Sequence, residues 1–417
     1  MNFGASSYLP VARAKALQSR SVLKLSTQLK LLTNAHVYAP VDFGIQNILV
    51  AGGKIVWMGA SLPSLSGIPF EKLDLQGQRL LPGFIDGHAH LTGGGGESGF
   101  SSRVPGVPLS HFTSAGVTSV VGVLGTDDTT RDTRSLVAHA YGLREEGMSA
   151  WCHTGGYHLP PVTLTGKVRD DIVFIEPIIG VGEIALSDHR SSQPTLSDLL
   201  RVASDAHVAG LITGKAGIIH LHLGDGVRGL DLVTQALDTS ELPARVFNPT
   251  HVNRRKGLFD EALELAVRGC TIDITAFPVA DDEDAWRADL GLIKYLDAGL
   301  PDAQVTISSD GGGCLPRWSD QGEMLHMDVG RPSSLIETLQ AVLAQGVPLE
   351  RVLPALTSNV ADILRLHGKG RIAINNDADM LVINPDNIIT DVMVGGSWHV
   401  SSQKQCIYGT FENTTAD

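Results

Sequence analysis

Two histidines two residues apart, His88 and His90 in Asp86-Gly-His-Ala-His, close an apolar run. A strand's period of two aims both imidazoles at one side, so a single strand can supply two metal ligands. Three further apolar runs end in groups of the same kind: His220-Leu-His222-Leu-Gly-Asp, Thr250-His251-Val-Asn-Arg and Ser308-Ser-Asp310-Gly. Imidazole and carboxylate together suit Zn²⁺, and a site with an open position brings the pKa of bound water down towards about 7. The chemistry this set would support is hydrolysis by hydroxide at neutral pH. His220 and His222 share one face, so one of them suffices as a ligand and the other is free to support or pack.

Groups so far apart in sequence meet only if the strand ends that carry them share a face. From Leu81-Pro-Gly to about residue 366, apolar runs of four to eight residues alternate with longer helical stretches, the texture of parallel strands joined by crossover helices. Strand candidates are Val117 to Leu124, Ser149 to His153, Ile178 to Ile184, Gly217 to Leu223, Ala244 to Phe247, Thr271 to Thr275 and Gln304 to Asp310; the strand ending at His90 makes eight. Helices are expected over Leu196 to Ala209, Leu258 to Arg268 and Leu335 to Gln345, the last capped by Ser333-Ser334. The predicted fold is α/β, a (β/α)8 hydrolase barrel over 81–366, where strand C-terminal ends gather on one face. Short strands with turn signals before and after it, at 28–80 and 367–417, predict a small β-sandwich domain formed by both chain ends, with 1–27 as an N-terminal extension.

The 417 residues carry 45 acidic and 32 basic side chains, a formal charge of −13, which excludes a nucleic-acid binder because phosphate neutralisation needs clustered Lys and Arg. Cys152, Cys270, Cys314 and Cys406 are scattered without a Cys-x-x-Cys pair, which argues against a disulfide framework and a cysteine-built zinc site. No run of 18 apolar residues appears, so no membrane span is expected. Five basic residues (Arg13, Lys15, Arg20, Lys24, Lys30) precede the first acidic one, Asp42. That is the bias of a transit peptide, but an ordinary N-terminus on a cytoplasmic protein is the preferred reading, with organellar targeting as the alternative.

Pro82-Gly-Phe-Ile-Asp-Gly-His-Ala-His, with the later His, His and Asp, resembles the amidohydrolase superfamily. The resemblance narrows to its isoaspartyl (β-aspartyl) dipeptidases through His90-Leu-Thr-Gly-Gly-Gly-Gly-Glu97, Ala115 to Asp127, Thr154-Gly-Gly-Tyr157-His, Ser187-Asp-His-Arg190-Ser, Pro249-Thr-His251-Val-Asn-Arg254 and Ser308-Ser-Asp310-Gly. It spans about residues 30 to 412. It implies two zinc ions, one held by His88, His90 and Asp310, the other by His222 and His251, with an acidic group from the fourth barrel strand bridging them and a hydroxide as nucleophile. It further implies that Tyr157 stabilises the oxyanion and that Asp310 shuttles a proton to the leaving amine. Glu97 would pair with the substrate's α-amino group, Arg190 and Arg254 would clamp carboxylate, Gly95 and Gly96 would let backbone approach the ligand, and Thr126 would hydrogen-bond the aspartyl α-carboxylate.

Two positions depart from that pattern. Glu183 stands where the family carries a lysine that carbon dioxide converts to a bridging carbamate; charge and ligand type survive, but the carboxyl carbon falls short by about 3–4 Å. Gly180 and Gly182 beside it would let the strand move inward, and one ion in place of two is the alternative. Cys314 replaces a serine that contacts the substrate carboxylate, and a thiol is the weaker donor. The expected activity is zinc-dependent hydrolysis of β-aspartyl dipeptides by a homo-oligomer whose only partner is a small dipeptide. The alternative is another metal-dependent amidohydrolase, acting on an N-acyl amino acid or a cyclic amide with the pocket retuned through Glu183 and Cys314.

Overall fold

The structure, a computed structural model, describes residues 29–318 and 324–412. The expected extension at 1–27 lies outside the described residues. Eight parallel strands form the barrel: Phe84–Ala89, Val117–Gly122, Ser149–Thr154, Ile178–Leu186, Ile219–Leu223, Phe247–Thr250, Ile272–Thr275 and Val305–Ser308. The first six pair in sequence order and the last two pair with each other. Backbone bonds from Asp310 N to His88 O (3.2 Å) and from His90 N to Gly311 O (2.8 Å) join the eighth strand to the first. The amide of Asn248, donating to Thr271 O at 2.8 Å, ties the sixth strand to the seventh.

Every residue of Val117–Gly122 and Ile178–Leu186 is buried, as expected of strands covered on both faces. The covering helices carry their own start and stop signals. Helix Leu196–Thr213 opens with a capping box between Thr195 and Asp198 and stops at Gly214, whose φ is 76°. It runs four residues beyond Ala209, the end predicted from the sequence. The helix predicted from Leu335 is Ser334–Ala344, and no side chain caps it, because the Ser333 hydroxyl donates to Glu337 instead (2.9 Å). The strand expected from Ala244 begins only at Phe247, after a 3-10 turn over Ala244–Val246. Pro249 falls inside it, and the sixth strand carries ladder bonds only on the side of the fifth, which tolerates a residue lacking an N–H. A hairpin of Cys314–Trp318 with Met324–Val329, not foreseen, follows the eighth strand.

The two chain ends meet in one nine-stranded sheet. Arg79–Pro82 from the first part lies antiparallel to Met380–Ile383 from the last, with Leu81 opposite Leu381. A buried lysine locks this sheet to the barrel: Lys369 Nζ reaches Asp379 (2.6 Å), Asp377 (2.8 Å) and the hydroxyl of Ser149 at the start of the third barrel strand (2.6 Å). Burial pushes its ammonium towards neutrality, but the two carboxylates more than offset this and raise its pKa. Lys369→Met leaves Asp379 buried and unpaired, so it should destabilise the fold by about 3–5 kcal/mol. Urea unfolding checks this; an unchanged midpoint refutes the lock.

Candidate metal centre

The ends of five barrel strands, the first, fourth, fifth, sixth and eighth, gather around one carboxylate. Glu183 Oε1 lies 3.4 Å from His90 Nε2, while Oε2 lies 3.1 Å from His222 Nδ1, 3.4 Å from His251 Nε2 and 3.6 Å from His88 Nε2. Asp310 Oδ1 stands on the far side of the first pair, 3.0 Å from His90 Nε2 and 3.4 Å from His88 Nε2. Three overlapping sets of ligand atoms fall within 4.8 Å of one another: His88, His90 and Glu183; Glu183, His222 and His251; His88, His251 and Asp310. The first two sets share only Glu183, the arrangement of a bridge between two cations.

Glu183 overcomes its short side chain through the backbone. In the pairing of the fourth and fifth strands, Val181 faces Ile219 and Ile184 faces Leu221, so Gly182 and Glu183 together stand opposite the single residue His220. Such a bulge re-aims a side chain, here towards the barrel axis. Gly182 has φ 151°, and a Cβ there would lie 2.6 Å from His220 O, so only glycine admits the bulge.

The donors are charged as a metal requires. Burial alone would raise the Glu183 carboxyl, but the imidazoles of His88 and His222 outweigh it and hold it well below the usual carboxylate range. Asp310 is likewise pushed up by burial and held down by His88 and His90. Burial drives His251 down to about 3, which leaves a neutral ring with a lone pair; its Nδ1 meets the Thr275 hydroxyl at 2.7 Å, so Nε2 faces inward. Glu183 Oε1, Asp310 Oδ1 and His88 Nε2 are buried with no hydrogen bond. Unpaired donor atoms of this type, aimed at one another, fit divalent cations.

The substrate-side residues also come together. Glu97 Oε1 pairs with Arg190 Nη1 at 3.2 Å, while Glu97 Oε2 and Thr126 Oγ1 are buried without a partner. Arg190 and Arg254 each place a guanidinium nitrogen 3.4 Å from His222 Nε2. The Tyr157 hydroxyl is 2.8 Å from His222 Nδ1, and burial with the Glu183 charge lifts the phenol well above 10, so it remains a donor. Gly95 turns at φ 74° against Ser102 O, where a Cβ would approach to 2.5 Å, and Gly96 turns at φ 109°. Cys314 borders Gly95 but belongs to none of the metal sets, and burial with Glu97 and Asp310 nearby raises its thiol to about 12. It is therefore a neutral thiol beside the pocket.

Several supporting groups went unassigned in the sequence. His88 Nδ1 meets His220 Nε2 at 2.7 Å, and His220 Nδ1 meets Asn248 Oδ1 at 2.7 Å, so His220 supports and His222 faces Glu183. Asp86 accepts from the Ser309 hydroxyl and from Ser309 N (3.1 Å), joining the first and eighth strand ends. The Arg131 guanidinium donates to Gly94 O (2.9 Å) and Val104 O (3.1 Å), which fixes the glycine loop. Asp188 carries a bidentate pair to Arg190 and stands 3.1 Å from His222 Nε2. Of these, His220 had a signal in its spacing from His222, and Asp188 in its place two residues before Arg190 after a strand end.

Residues 218–399 match the Amidohydrolase family. The β-aspartyl dipeptidase of Fervidobacterium islandicum AW-1, solved with β-Asp-Leu, is 40% identical and superposes with a TM-score of 0.87 over 91% of this chain and 98% of that one. A deacetylase of Agrobacterium fabrum is 24% identical over 85% of this chain and 83% of its own. The dihydropyrimidinase of Brevibacillus agri, at 16% identity and a TM-score of 0.65 over 92% of this chain and 97% of that one, shares the fold.

Proposed function

The chain belongs to the amidohydrolase superfamily, among its β-aspartyl dipeptidases, and we propose on that premise that it hydrolyses β-aspartyl dipeptides with two zinc ions. The observation that carries this reading is the placement of Glu97, Arg190 and Arg254 beside the cluster centred on Glu183. Such a charge array suits a zwitterionic dipeptide, whereas a cyclic amide offers no ammonium to the unpartnered Glu97 Oε2 and no carboxylate to the two arginines. His88, His90 and Asp310 would hold one ion, His222 and His251 the other, and Glu183 both. When bound, zinc supplies hydroxide at neutral pH and polarises the scissile carbonyl.

The remaining work falls to side chains. The free Glu97 Oε2 accepts the substrate's α-ammonium, Arg190 and Arg254 take carboxylate, and Thr126 donates its unpartnered hydroxyl to the aspartyl α-carboxylate. Tyr157 donates its phenolic proton to the oxygen that gains charge as the amide carbon becomes tetrahedral. Asp310 takes a proton from the attacking water and returns it to the departing amine, so one water is added across the broken C–N bond.

Steady-state hydrolysis of β-Asp-Leu, with α-Asp-Leu and N-acetyl-Asp run beside it, tests the reading. The expected result is a kcat/KM for β-Asp-Leu at least about a hundredfold above the others, the discrimination a buried charge pair gives. No turnover of β-Asp-Leu by zinc-loaded protein would shift the substrate to another amide.

A further inference from the structure

Asp188 sits two residues after the end of the fourth barrel strand, with 3% of its side chain exposed, and every acceptor site it has is engaged. Oδ1 accepts from Arg190 N (2.8 Å) and Arg190 Nε (3.0 Å); Oδ2 accepts from Arg190 Nη2 (2.7 Å) and faces His222 Nε2 at 3.1 Å. The turn is built for it. A Cβ on Gly224 would lie 2.4 Å from Asp188 Cβ, so the strand carrying His222 leaves a space that only glycine provides.

We propose that Asp188 is a positioning residue that sets the His222 ring and the Arg190 fork together, so that one carboxylate couples metal binding to recognition of the substrate's carboxylate. The proposal rests on the zinc dipeptidase reading. A neutral imidazole has one N–H; guanidinium nitrogens of Arg190 and Arg254 lie 3.4 Å from Nε2, but the Asp188 carboxylate is closer, at 3.1 Å, and holds that proton on Nε2. The Nδ1 lone pair is then turned inward, where it accepts from the Tyr157 hydroxyl at 2.8 Å and lies 3.1 Å from Glu183 Oε2, so that a cation between Nδ1 and the carboxylate would be bound by both. The bidentate grip on Arg190 removes that side chain's rotamer freedom before substrate arrives, and Arg190 Nη1 stays directed at Glu97. Moving Asp188 therefore disturbs both partners at once.

The test has three readouts. In metal-free wild-type protein, ¹⁵N-histidine spectra followed to alkaline pH should show the neutral His222 ring as the Nε2–H tautomer, assigned by its loss in His222→Gln. In Asp188→Asn, zinc affinity measured by chelator competition should fall on the order of 10–100-fold for one of the two equivalents. In the same variant KM for β-Asp-Leu should rise by a similar factor. A wild-type Nδ1–H tautomer overturns the proposal, and that measurement needs no variant to fold. An Asp188→Asn protein with only one of the two constants changed, or neither, also overturns it. Tautomer and zinc affinity are read without substrate, so a wrong substrate assignment would show up separately, as absent β-Asp-Leu turnover with both intact.

Discussion

Glu183→Ala should lower kcat for β-Asp-Leu on the order of a thousandfold or more, about 4 kcal/mol of transition-state stabilisation. The variant should also lose zinc, because among the described residues no other carboxylate lies within ion-pair distance of all four imidazoles of the cluster: Asp310 comes that close only to His88 and His90. Elemental analysis beside the kinetics separates a lost ligand from a misfolded barrel. Glu183→Lys offers a sharper version of the experiment. A lysine carbamate would reach about 3–4 Å farther than glutamate. Because the bulge at Gly182 and Glu183 already brings the carboxylate within 3.1–3.6 Å of the imidazoles, the longer group would collide with them. Bicarbonate should therefore fail to restore activity. Rescue would mean that the strand relaxes outward and that the bulge is no fixed feature.

Glu97→Gln is the second large effect. The side chain keeps its shape and loses its charge, so Arg190 Nη1 faces a neutral acceptor in place of a carboxylate and the substrate's ammonium is left without a counter-ion. Truncating one member of a buried charge pair costs about 2–5 kcal/mol, or a loss in kcat/KM of roughly 30-fold to several thousandfold. N-acetyl-β-Asp-Leu, which carries no ammonium, is the control: its kcat/KM should be no worse in the variant than in wild type. If both substrates suffer equally, Glu97 shapes the loop and does not read the amino group.

Much of this site was legible because its ligands fall at strand ends in an alternating β/α chain. His88, His90, His251 and Asp310 each end or follow an apolar run, and a barrel brings such ends together whatever the loop lengths. The choice of His222 over His220 was not legible from spacing, since both point inward; it is decided by Asn248, which engages the ring of His220 from the neighbouring strand. The inward reach of Glu183 was anticipated only as a property of adjacent glycines, and the actual cause, one extra residue opposite His220, is a matter of register that no single strand reveals. The sixth strand was misplaced by three residues because Asn248-Pro249 reads locally as a break, and pairing on one side only overrides that signal. Arg131 lies beyond sequence reasoning for a different reason, since its partners are backbone carbonyls of distant segments, and of Asp188 only the link to Arg190 is local, its contact with His222 being long-range.

The position of Lys369 separates two jobs within the molecule. Ser149, which the ammonium grips, begins the third barrel strand, whereas Thr154 ends it on the side where Tyr157 and Glu183 work. The nine-stranded sheet is thus tied to the floor of the barrel, at the end of the strands away from Glu183 and Tyr157. Heat resistance and turnover become independently tunable: changes around Lys369 should move the melting temperature at constant KM, and changes around the glycine loop should do the reverse.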